Sequence, residues 1–200
     1  MKKLFTLCVV IMLSTLCYAA GQKSIEIIFG SGKLLLDTTK RASFTFDYDS
    51  CYVGKISKGV LKDDAKPLEQ VLKERGENAK EEWVQTEEFI YERFFSHWNI
   101  MNRKRTTLVR EEENPDYSII FHVKGIDLGN SAASYFGVGK TGGISVIGDI
   151  DVTDIKTKEK ILTYKVNQIK GSGELTEAHR LWSAYMQVAW NICQINRKSK

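Results

Sequence analysis

Proline and cysteine are both scarce in this chain. Pro67 and Pro115 are the only prolines among 200 residues, so long helices and strands can run unbroken. No low-complexity linker or internal repeat divides the sequence. Of the four cysteines, Cys8 and Cys17 lie in the first twenty residues, which leaves Cys51 and Cys193 for the rest. Two cysteines at that separation make neither a disulfide-dense scaffold nor a cysteine metal motif. The three histidines, His97, His122 and His179, fall in different segments with no metal-ligand spacing. No Gly-x-Ser-x-Gly string occurs to suggest a nucleophile elbow. A basic stripe is also missing: the formal charge is +4, and Arg197, Lys198 and Lys200 at the C-terminus hold much of it. Nucleic acid is therefore not an expected partner. No apolar run after the first approaches the roughly 20 residues of a membrane span.

The beginning of the chain is what stands out. Met1-Lys2-Lys3 precedes an apolar run from Leu4 to Leu16, followed by Cys17-Tyr18-Ala19-Ala20. Two lysines, a short apolar core and small residues at the exit match a secretory signal peptide. Leu16 before Cys17 departs from a lipobox, and Ala19 or Ala20 suits signal peptidase. Residues 1–20 are thus expected to be a signal peptide and residues 21–200 a single domain, exported to the periplasm or secreted, with no transmembrane segment in the mature chain. Removal of Lys2 and Lys3 lowers the formal charge from +4 to +2. In an oxidising compartment Cys51 and Cys193 either form one bridge or remain two buried thiols.

Residues 21–41 read as a loosely structured lead. Phe44, Phe46 and Tyr48 then alternate with Thr45, Asp47 and Asp49, the period of a strand with one buried face. A short helix is expected near Leu68–Glu74. From Ala79 to Met101, Trp83, Ile90, Phe94, Trp98 and Met101 recur at helical spacing. They give this helix an aromatic face suited to packing on a sheet. A short strand at Thr106–Arg110 and a glutamate-rich turn follow. Next come a long strand at Asp116–Leu128, a hairpin from Ile144 to Val166 and a last helix over Leu175–Ile195. The pattern predicts an α+β fold: a two-layer sandwich with a largely antiparallel sheet and two main helices on one face, in the order β-α-β-β-β-β-α.

Two strings invite a ligand. Gly137-Val138-Gly139-Lys140-Thr141 resembles part of a phosphate-binding loop, but Ser134 stands where the first glycine would be, and a strand rather than a helix follows. The stretch Ser131–Gly143 reads instead as an exposed glycine-rich loop. Tyr135, Phe136, Gly137, Gly139 and Lys140 form its partner-binding surface if it has one. Asp149-x-Asp151-x-x-Asp154 lacks the glycine and glutamate of a calcium loop. On a strand, Asp149 and Asp151 lie about 7 Å apart on a solvated face. No cofactor, metal or catalytic residue is expected.

Phe44-Thr45-Phe46-Asp47-Tyr48, the Trp83 helix, Asp116-Tyr117-Ser118-Ile119-Ile120, Gly148-Asp149-Ile150-Asp151-Val152-Thr153-Asp154 and a closing helix with Ala184 and Tyr185 resemble uncharacterised secreted proteins of Gram-negative bacteria. The element order is similar to small α+β domains of envelope accessory proteins, the N-terminal domain of TolB and the CsgG group. That resemblance implies binding or assembly and carries over no catalytic residue. The resulting expectation is an exported accessory or binding module of the envelope whose partner is a protein or envelope component, and not an enzyme. Its alternatives are a small-ligand carrier using the aromatic helix 79–101 and a small secreted hydrolase.

Overall fold

A computed structural model describes residues 24–102, 105–129, 143–172 and 176–199. The fold is α+β, with a mixed sheet and, among the described residues, three α-helices. β1 (Ile25–Gly30) leads through a 3₁₀ turn at Gly32–Leu36 to β2 (Arg41–Asp47). Four two-residue strands follow: β3 (Tyr52–Val53), β4 (Ile56–Ser57), β5 (Val60–Leu61) and β6 (Lys66–Pro67). Then come α1 (Leu68–Arg75), α2 (Ala79–Met101), β7 (Thr107–Leu108), β8 (Tyr117–Asp127), β9 (Ser145–Asp154), β10 (Lys160–Lys170) and α3 (Glu177–Lys198). Among the described residues no helix is long and apolar enough to cross a membrane.

The main sheet runs β1-β10-β9-β8-β2-β7, with β3 joining β8 and β6. β8, β9, β10 and β1 pair antiparallel. In contrast to a largely antiparallel sheet, β2 lies parallel to both β8 and β7. The reason is connectivity. α2 lies between β2 and β8 in the chain, and a helical crossover returns the chain in its starting direction. Register aligns the core in rows: Phe46 pairs with Phe121, Phe121 with Ile150 and Ile150 with Tyr164. All four side chains are buried. Gly148 allows the pairing near a register shift between Val123 and Gly125. A Cβ there would come within 2.2 Å of the His122 carbonyl oxygen and 2.8 Å of the Phe121 ring.

Within residues 21–41, β1 pairs with β10 at the sheet edge, and Ile25 and Leu35 are buried. Their apolar side chains complete the core beside α3, so this part of the lead has a fixed place.

α3 begins at Thr176, whose hydroxyl accepts a hydrogen bond from the His179 N–H, and Arg197 and Lys198 complement its C-terminal dipole. It buries Leu181, Ala184, Tyr185, Val188, Ala189 and Ile192, a 3.6-residue stripe packed on α2 and on the sheet. α2 contributes Ile90, Phe94 and Trp98, all at most 1% exposed. Phe94 stacks on Phe44 at 4.3 Å and meets Phe46 edge-on at 5.5 Å. Most of the aromatic face of α2 therefore fills the core.

Candidate functional site

The N-terminal end of α2 is different. Here α1 packs beside it, and the two helices turn at Gly76, whose φ of 112° suits glycine. Between them and the chain leaving β2 lies an open groove of about 770 Å³. Leu68, Leu72, Trp83 and Val84 supply its apolar surface, with Tyr48 and Cys51 at the end of β2. Tyr48 meets Trp83 edge-on at 5.3 Å and 84°. Its hydroxyl shares a 3.0 Å hydrogen bond with that of Tyr185 on α3. Backbone bonds anchor this wall: the Cys51 N–H donates to the Tyr48 carbonyl, and the Leu68 N–H donates to the Cys51 carbonyl. Val84 is 56% exposed beside the buried indole of Trp83.

The groove is also rich in carboxylates. Asp49, Glu69, Glu77 and Glu87 line it, against Lys73 and Lys80. Burial raises the Glu87 carboxyl above the ordinary glutamate range because it disfavours the charged form. Burial likewise raises the Tyr48 phenol. It pushes the Cys51 thiol up to about 12, so this cysteine stays protonated and is a poor nucleophile. The lining can therefore hold apolar groups and attract cations, and it offers no activated nucleophile among these residues.

A second polar cluster occupies the other face of the sheet. Asp47 Oδ2 lies 2.6 Å from His122 Nδ1, and Asp151 Oδ2 lies 3.6 Å from His122 Nε2. Asp151 also pairs with Lys160 at 2.6 Å and accepts the Thr163 hydroxyl at 2.7 Å. Asp149 pairs with Lys124. The Asp49 backbone N–H and then His122 hold the Asp47 carboxyl below its ordinary value. Each carboxylate is already engaged, and the cluster ties β2, β8, β9 and β10 together. Asp154 instead binds the Lys156 and Thr157 N–H groups of its turn. The three aspartates of the calcium-like string thus serve separate local contacts. Among the described residues no group of three or more potential ligands could hold a metal.

The expected loop surface, Tyr135, Phe136, Gly137, Gly139 and Lys140, lies outside the described residues, as does the expected signal peptide. Cys51 and Cys193 are both free and buried, so the bridge between them is not formed. Cys51 lies in the groove with Trp83, whereas the Cys193 thiol donates to Asn102 Oδ1 at 3.3 Å. The helix rises about 28 Å from Trp83 to Asn102, far beyond the roughly 7 Å between Cα atoms that a disulfide allows. His97 is half-buried, and desolvation lowers its pKa. Sequence reasoning missed Tyr48, Leu72 and Glu87 as groove residues. For Glu87 a signal existed, because it sits four residues after Trp83 and three before Ile90 on the apolar stripe.

No protein-family model matches the chain, and no curated protein matches it. Among solved structures, it is similar to the PelC dodecamer from Paraburkholderia phytofirmans. Identity is 8% and TM-score 0.42, over 85% of this chain and 96% of that one. A point variant of the same dodecamer gives 9% identity and a TM-score of 0.41, over 85% and 95% of the two chains.

Proposed function

We propose that this chain is an exported accessory module of the bacterial envelope that binds a protein or envelope component through the groove between α1 and α2. The groove carries the reading: it is a concave surface that joins an apolar floor to four carboxylates and two lysines, and clefts with apolar walls and convergent polar groups are where ligands usually bind. We read the sheet, with α2 and α3 packed on it, as the two-layer α+β sandwich of small envelope accessory domains. The leader Met1–Ala20 supports export to the periplasm or beyond. Trp83 and Tyr48 in the groove also favour a second reading, a small-ligand carrier, in which the same site takes an aromatic or aliphatic molecule.

Photo-crosslinking in bacterial cells separates groove binding from general stickiness. A benzophenone amino acid replaces Val84 in the groove or Ile100 at the opposite end of α2, which are 56% and 61% exposed. A discrete protein adduct at Val84 and none at Ile100 is the expected result. Equal labelling at both sites, or none at Val84, overturns the protein-binding reading. N-terminal sequencing of the secreted material tests export, with Ala20 or Gly21 as the expected first residue.

A further inference from the structure

We infer that the groove receives a basic amphipathic segment of a partner protein, a proposal that rests on the groove being the binding site. Two features of the lining lead to this occupant. Leu68, Leu72 and Trp83 give an apolar floor that can bury one or two aliphatic side chains. Around it, four carboxylates face two lysines: Asp49, Glu69, Glu77 and Glu87 against Lys73 and Lys80. Among the described residues none of those four carboxylates holds an ion pair, whereas the nearby Glu74, Glu92 and Glu177 are each paired with a lysine or arginine. The net negative charge of the groove thus lies on groups free to accept a partner.

Glu87 is the anchor. It sits one turn beyond Trp83 on α2, so both side chains rise from the same face of the helix. A lysine or arginine can lay its aliphatic stem along the exposed Val84 beside Trp83 and set its charged head against the carboxylate. The neighbouring apolar residue of the segment then fills the space over Leu72. Such a contact restores to the Glu87 carboxylate the stabilisation that burial removes. Acidic segments meet like charge on entry, and purely apolar ones leave that carboxylate uncompensated.

The test uses the full purified chain and two amidated peptides of about 14 residues, long enough to form a marginal helix. One alternates leucine and lysine amphipathically, and the other carries glutamate in place of lysine. Calorimetry gives affinity, and the indole N–H resonance of Trp83 reports whether the groove is occupied. The leucine–lysine peptide is expected to shift that resonance and to bind at least about tenfold more tightly than its acidic counterpart. Glu87→Gln should weaken it by about fivefold to tenfold, and Glu81→Gln, a control outside the groove, should leave it unchanged. If both peptides shift the resonance with equal affinity and Glu87→Gln changes nothing, the basic-segment inference falls and groove binding stands. If neither peptide shifts it, groove binding falls too. Choline displacing the bound peptide at low millimolar concentration would overturn the peptide in favour of a small ammonium ligand.

Discussion

The two ends of α2 carry similar residues and meet different surroundings. At its C-terminal end Trp98 is 1% exposed, and its indole N–H donates to the Thr106 carbonyl at 3.4 Å. Asn99 behaves there like a further strand residue. Its amide donates to the Leu108 carbonyl at 2.9 Å, and its oxygen accepts the Leu108 N–H at 2.7 Å. The sheet, β7 and α3 enclose this end. At the N-terminal end Trp83 occupies the same stripe and is 9% exposed; Tyr48 packs edge-on against it, and it also lines the groove beside the short helix α1. One apolar stripe thus runs from a fully enclosed core at one end to the wall of a groove at the other. What lies over a residue decides its role, and periodicity does not record that.

The sharpest way to break this comparison is to truncate the closed end. Phe94 is fully buried among Phe44, Phe46 and Trp98, so Phe94→Ala should cost about 3–5 kcal/mol in chemical denaturation. A cost below about 1 kcal/mol would mean that the closed end is as loosely covered as the groove.

The boundary between the regions runs through the Tyr48–Tyr185 hydrogen bond, which links the groove wall to α3. Tyr48→Phe leaves the buried Tyr185 hydroxyl without this partner and should cost about 1–2 kcal/mol. Removing both hydroxyls should cost less than the sum of the single changes, because the second substitution removes the orphaned group. A denaturation cycle over the four forms measures that coupling. Strict additivity would show that the groove wall and α3 are mechanically independent.

The closed end was more legible in the sequence than the open one. The spacing of Trp83, Ile90, Phe94 and Trp98 predicts a helix over Ala79–Met101, and α2 has those bounds. Alternation along Tyr117, Ile119, Phe121 and Val123 fixes the buried face of β8. These patterns are readable because one face of a regular element meets one continuous apolar surface. The parallel pairing of β2 with β8 was less evident, since alternation gives a strand its faces but not its neighbours or direction. β1 was obscured because its apolar residues at Ile27 and Ile28 lie near a register shift at the sheet edge, which breaks the two-residue period. The groove was the least legible feature. It joins residues from the end of β2, α1 and the start of α2, and only packing brings Tyr48, Leu72 and Glu87 together. The one local sign was a glutamate on an apolar stripe.

That glutamate gives the smallest effect and the most discriminating one. Burial raises the Glu87 carboxyl above its ordinary value of 4.5, so the folded chain holds this proton more tightly than the unfolded chain does. Between the ordinary value and the raised one the native state binds more protons, and stability falls as pH rises through that window. Below the window the carboxyl is neutral in both states and the loss vanishes. Glu87→Gln removes the ionisation, so the variant should match the parent in mildly acidic solution and become the more stable of the two as pH approaches neutrality. Urea midpoints measured across that range check the sign. At the closed end, substitution of a stripe residue should only weaken the fold. At the open end, Glu87→Gln should strengthen the fold while it weakens capture of a basic segment, the opposition expected of a residue retained for binding at the expense of stability. A variant less stable than its parent at neutral pH would make Glu87 an ordinary structural carboxylate and remove the distinction between the two ends of α2.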